Sequence, residues 1–165
     1  MRLALQNWIF DVDVNKTASI YEKGVLDHCT CGYCRNFYEA VDVAYPDLRQ
    51  FLNEFGVNLE APEELLPVEP TLCVVSYCVC GTVIQRGNPL RDLEHCTITI
   101  QSQEEKDYDD DWPTPFFVLT TGVLELPWLL DEPMEDVVSP ANEPECMERM
   151  GQKLLNGADC EMVQS

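Results

Sequence analysis

Seven consecutive residues, His28-Cys29-Thr30-Cys31-Gly32-Tyr33-Cys34, include four side chains able to ligate a soft metal ion. Zinc takes four nitrogen or sulfur donors in a tetrahedron, and a C-x-C-x-x-C turn can aim three thiolates at one point when a glycine lets the backbone fold around the ion. Gly32 stands where that glycine is needed. The fourth donor is either His28 or a remote thiol. His28 adjoins Cys29, and neighbouring residues seldom reach the same ion, whereas Cys78-Val79-Cys80-Gly81 places two thiols on one face of a strand ahead of a glycine. The candidate ligands are therefore Cys29, Cys31, Cys34 and one of Cys78 or Cys80, with His28 in reserve. Four protein ligands would close the shell of a structural zinc site, and an open position would admit water and hydrolytic chemistry. The same cysteines have two other uses, as buried packing groups or as a redox dithiol. Cys73, Cys96, Cys146 and Cys160 have no companion donors in sequence and read as packing thiols.

Other catalytic patterns are weaker. His28 and His95 are the two histidines, and nothing in sequence joins either to an oriented nucleophile. Neither common glycine-rich nucleotide loop is present. Asp11 and Asp13 would share one strand face, where a solvent-facing edge explains them more simply than acid–base chemistry. The run 107–111 lacks the glycine and closing glutamate of an EF-hand calcium loop.

The chain has 165 residues, a length that suits one domain with an appended tail. Hydrophobic residues at 45% are enough to build a core. Thirty acids against ten bases give −20, which counts against contact with nucleic-acid backbone or an anionic membrane, because both call for clustered Lys and Arg. The acidity is regional: residues 101–148 carry fourteen acids and one base, whereas residues 1–100 carry fourteen acids and seven bases. Such a block either keeps the surface solvated or offers a basic protein partner an acidic face that mimics nucleic-acid charge. No secretory h-region and no apolar run of membrane-spanning length are visible, which points to the cytoplasm. In a reducing compartment an odd count of nine cysteines does not read as a disulfide framework.

The elements that must position these residues read as an α+β domain over 1–126, followed by a proline-broken acidic tail over 127–165. Trp8, Phe10, Val12 and Val14 alternate as an N-terminal strand, and Thr17 is the expected cap of a short helix from Ala18. Phe37, Ala40, Val41 and Ala44 form one helical stripe, and Leu48, Phe51, Leu52 and Phe55 form a second between Pro46 and Gly56. Residues 58–70, with three prolines and four glutamates, read as a loop. Segments 72–79 with 82–85, 96–101 and 116–126 then supply, with the first strand, an antiparallel sheet of about four strands. Trp128 and Leu129 either wrap back over the sheet or anchor a partner, and a short terminal helix is expected over 144–155.

The run His28-Cys29-Thr30-Cys31-Gly32-Tyr33-Cys34-Arg35-Asn36-Phe37-Tyr38, followed by Pro46, Leu48, Phe51-Leu52 and Phe55-Gly56-Val57, resembles a group of small uncharacterised proteins of Gram-positive anaerobes and their phages. The likeness covers residues 28–57 best, and this chain departs from simpler members by Cys31 and the long acidic C-terminal region. It implies the two helices and a bacterial or phage origin, and brings no mechanism.

Together these readings give a non-catalytic cytoplasmic interaction protein with a structural zinc site and an acidic face for a basic protein, in one version a phage-type inhibitor. The alternatives are a metal-dependent hydrolase or a thiol redox protein built on Cys29, Cys31 and Cys34.

Overall fold

In the computed structural model of the chain, the described residues are 1–23, 31–69, 71–93, 96–102 and 112–134. They form a mixed α+β architecture. Three helices, α1 (Val14–Glu22), α2 (Gly32–Ala44) and α3 (Pro46–Asn53), accompany eight strands: β1 (Arg2–Leu5), β2 (Trp8–Val12), β3 (Glu64–Glu69), β4 (Leu72–Gln85), β5 (Leu90–Leu93), β6 (Cys96–Ser102), β7 (Phe116–Thr121) and β8 (Leu124–Glu125). The strand order is β1-β2-β4-β7-β6-β5, with β3 and β8 also paired to β4, and every pairing is antiparallel. The sheet thus has about twice the expected strands.

The 14-residue β4 organises the sheet. Ser76 pairs with Glu64 of β3 and with Thr120 of β7, so β3 and β7 lie on opposite edges of β4. β2 pairs with β4 over residues 81–85 on the β3 side, leaving residues 77–80 of that edge between the two shorter strands. α1 fills this gap with polar groups of its own. The Asp13 N–H donates to the Cys80 carbonyl at 2.9 Å, the Thr17 Oγ1 accepts the Cys80 N–H at 3.0 Å, and the Tyr21 hydroxyl donates to the Cys78 carbonyl at 3.0 Å. An unpaired sheet edge inside a protein is costly, and these three bonds do the work of a missing strand.

The core lies between the sheet and α2–α3. Phe55 meets Phe10 at 5.5 Å and Phe117 at 6.1 Å, and Phe10 stacks on Phe117 at 5.1 Å, joining the end of α3 to β2 and β7. Tyr77 shares this inner face and donates to the Leu59 carbonyl at 2.7 Å. β6 alternates cleanly, with Cys96, Ile98 and Ile100 buried. On the outer face, Cys78, Cys80, Phe116 and Val118 are buried too, so the middle of the sheet is covered on both sides.

Several expectations change. β1 was not foreseen: its four residues extend β2 into a hairpin through Gln6. The 58–70 segment is not wholly loop, since β3 runs through Pro67. A proline is tolerated there because β3 pairs on one side only among the described residues. α1 starts at Val14 rather than Ala18, because the Asp13 carboxylate accepts the Lys16 N–H at 3.0 Å and caps the helix ahead of Thr17. α2 starts at Gly32, five residues before its apolar stripe. α3 ends as read: Gly56 takes φ +82°, and the Gly56 and Val57 N–H groups close on Asn53 and Leu52. A side chain at Gly56 would also strike the Val14 carbonyl, its Cβ falling 2.4 Å away. The helix expected at 144–155 lies outside the described residues.

Candidate functional site

The cysteine turn is the first turn of α2. Cys31 is its N-cap, extended at φ −65° and ψ 163°, and its Sγ accepts the Cys34 N–H at 3.5 Å. The Cys31 carbonyl accepts the Arg35 N–H at 2.9 Å, the first bond of the helix. Cys31 and Cys34 are buried, 5% and 3% exposed. The Cys31 sulfur thus takes up one of the N–H groups that the first turn of a helix leaves without an intrahelical partner. Cys31 and Cys34, two buried thiols in C-x-x-C spacing at one helix start, have the arrangement of half a tetrahedral metal site or of a redox pair. His28 and Cys29 lie outside the described residues.

The same helix start is tied to the chain that follows the sheet. Asn36, 3% exposed, donates from Nδ2 to the Pro127 carbonyl at 3.1 Å and accepts the Leu129 N–H on Oδ1 at 2.8 Å. Its side-chain amide therefore pairs with an extended backbone as another strand would. Arg35 grips Glu132 with both guanidinium nitrogens, Nη2 to Oε2 at 2.8 Å, and this bond holds the Glu132 carboxyl below its usual range. Trp128 donates to the Glu132 carbonyl at 2.9 Å. Residues 126–132 thus lie along the start of α2, with Leu129 still 43% exposed. Sequence reasoning missed Asn36 as the clamp; the one available signal was a polar residue directly preceding the α2 apolar stripe.

Cys78 and Cys80 share the outer face of β4, as their two-residue spacing requires, and are 0% and 2% exposed. They border α1: Tyr21 bonds the backbone of Cys78, and Thr17 that of Cys80. Burial pushes the Cys80 thiol above its ordinary value, against a smaller pull from the Thr17 hydroxyl and Lys16. Among the described residues no three His, Cys, Asp or Glu side chains gather as a metal-binding group. The α2 start faces residues 127–132, whereas the stretch of β4 bearing Cys78 and Cys80 is engaged by α1.

Of the thiols expected to pack, Cys73 and Cys96 are buried, and Cys146 and Cys160 lie outside the described residues. Burial pushes Cys73 up to about 12 and Cys96 up to about 11, so both are neutral at physiological pH. Asp11 and Asp13 line a cleft of about 680 Å³ beside the start of α1, together with Lys16 and Thr82. Asp13 caps α1, and exposed Asp11 faces the Met1 amine at 3.4 Å. Among the described residues no helix is long and apolar enough to cross a membrane.

Comparison with protein families, with characterised proteins and with solved structures finds no match for this chain. The functional reading therefore stands on the residues themselves.

Proposed function

We propose that this is a non-catalytic interaction protein that recognises a basic protein partner through its acidic surface. The observation that carries the proposal is the local charge: residues 101–148 hold fourteen acids and one base. The described surface adds to it. Arg35 and Arg49 are committed to Glu132, Asp42 and Glu60, whereas Glu22, Glu39, Asp47, Glu54, Glu64, Glu69, Glu125 and Asp131 make no ion pair among the described residues. Carboxylates left without partners repel one another and attract a cationic surface over about 8–10 Å at ordinary salt. A partner built to bind nucleic acid presents such a surface, and occupying it would block its normal ligand. The phage-inhibitor version rests on the sequence resemblance alone.

The test is displacement. Purified chain is titrated into complexes of duplex DNA with a panel of basic DNA-binding proteins at low and high salt. Release of DNA by a slight molar excess at low salt, weakening steeply as salt rises, is the expected result. Absence of release across the panel sinks the proposal.

A second reading is favoured by the bond from the Cys34 N–H to the Cys31 Sγ. Such bonds orient and stabilise thiolate ligands, which supports a structural zinc ion held by Cys31 and Cys34 with Cys29 as a further donor and His28 in reserve. Elemental analysis of protein purified without added metal is the check. One equivalent of zinc that survives dialysis and is lost in Cys34→Ser is expected. Metal-free protein with Cys31 and Cys34 readily oxidised to a disulfide would favour the redox pair instead.

A further inference from the structure

The outer face of the sheet changes character along β4. At Cys78 and Cys80 it is buried, but beyond Ser76 it opens. Leu65 points into the core, so its neighbour Leu66 projects outward, where it pairs with half-buried Val74 and is 52% exposed. Leu124 likewise points inward opposite Cys73, so Val123, in the break between β7 and β8, projects outward beside Val74 and is 54% exposed. Val68, the bulged residue of β3, adds a further side chain at 54% exposure. Leu66 and Val74 therefore pair across β3 and β4, and Val123 follows in the break between the two strands that pair with the rest of β4, a span of about 10 Å.

Carboxylates frame this group. Glu64 lies beside Ser76 on one side of it, and Glu69 and Glu125 flank Leu72 on the other. None of these three takes part in an ion pair among the described residues, and no basic residue stands in the segments 63–69, 72–76 or 120–126 that build the patch. An exposed apolar centre with a rim of a single charge is the anatomy of a recognition surface rather than of ordinary solvated sheet.

We infer that this open half of the outer sheet face docks an amphipathic basic helix of a partner protein, whose apolar stripe covers Leu66, Val74 and Val123 while flanking lysines or arginines meet Glu64, Glu69 and Glu125. The inference rests on the proposed acidic interaction and places its contact on the molecule. Charge complementarity selects the occupant. A second copy would bring the same three carboxylates against their equivalents, and an added strand would meet Pro67, which lacks an N–H, on the β3 edge. Two turns of helix span about 11 Å, which matches this span, and place apolar side chains at i, i+4 and i+7 on one side with basic residues on its shoulders.

The experiment uses the full chain and two fluorescein-labelled synthetic helices of about 18 residues, five turns. One carries leucines on one face between flanking lysines; the other has the same lysines with glutamine for leucine. The first is expected to bind at least about tenfold tighter than the second, the effect of burying one or two apolar side chains. Leu66→Ser with Val123→Ser should remove that advantage, Val43→Ser on the far-exposed face of α2 should not, and both variants are checked for unchanged circular dichroism. Equal binding of the two peptides, indifferent to these substitutions, overturns the docking face while leaving the acidic interaction standing. No binding of either peptide at low salt overturns both. Sedimentation of the wild-type chain as a dimer that Leu66→Ser dissociates would give the face to a second copy, and would also overturn the inference.

Discussion

Replacing Thr17 by Val tests whether α1 truly serves as a strand for the open edge of β4. The swap keeps shape and volume and exchanges a hydroxyl for a methyl. Thr17 is 0% exposed; its Oγ1 accepts the Cys80 N–H at 3.0 Å and donates to the Asp13 carbonyl at 2.8 Å. Losing the hydroxyl strands a buried N–H, at about 1–3 kcal/mol, while the Asp13 carbonyl keeps its bond from the Thr17 N–H at 3.0 Å. The expected loss is therefore about 2 kcal/mol, or about 1 M in the urea midpoint for a slope of about 2 kcal/mol per M. Thr17→Ser, which keeps the hydroxyl and loses a methyl, should cost only about 1 kcal/mol. The order of the two variants carries the test. If the site is merely packed, Val will behave as wild type and Ser will be the weaker protein, and a Val variant within about 0.5 kcal/mol of wild type refutes the edge-sealing role.

Three further outcomes are expected. Asn36→Ala should free residues 127–132 from α2, so that chymotrypsin cuts after Trp128 several-fold faster than in wild type, whereas Asn36→Asp, which still accepts the Leu129 N–H, should lie between the two. Stability should fall in alkali: Cys73 and Cys96 have folded values raised to about 12 and about 11 from an unfolded value of 9.0, so the unfolded chain loses their protons first. Their contribution is complete below about pH 9 and declines through pH 9 to 11 by about 1.4 kcal/mol per unit for each thiol, with Tyr21 and Tyr77, also raised by burial, extending the fall; urea midpoints that stay level over that range would contradict the burial of these groups. Finally, Glu132→Gln should leave the urea midpoint close to that of wild type, since the Arg35 pair is exposed, and any small effect should vanish at high salt.

The helices were legible because their signals are local. Repeats at i, i+3 and i+4, a proline at the start of α3 and a left-handed glycine at its end are properties of the chain alone. β3 was hidden by Pro67 and its glutamates, which suit an edge strand as well as a loop. Asp13 fitted the alternation of β2 and equally fitted a helix cap; its bond to Lys16 decided the matter. The cysteine turn was recognised but its helical start was not, because Gly32 is a poor helix former and Cys31 an unusual cap. What sequence could not provide was long-range placement. The pairing of Asn36 with residues 127 and 129, the engagement of Cys78 and Cys80 by α1, and the grouping of Leu66, Val74 and Val123 all join segments that are distant in the chain.

The central claim is that the regional acidity acts on a partner rather than only on water. It is tested most directly by neutralising Glu104, Glu105, Asp107, Asp109, Asp110 and Asp111 to the corresponding amides, which removes six of the fourteen acids of residues 101–148. The affinity of the wild-type and neutralised chains is then compared, for a basic DNA-binding protein that wild type displaces from DNA, across a salt series. The account predicts a drop of at least about tenfold at low salt and a shallower salt dependence, with circular dichroism unchanged. Full affinity in the neutralised chain, with the same salt slope, would contradict it.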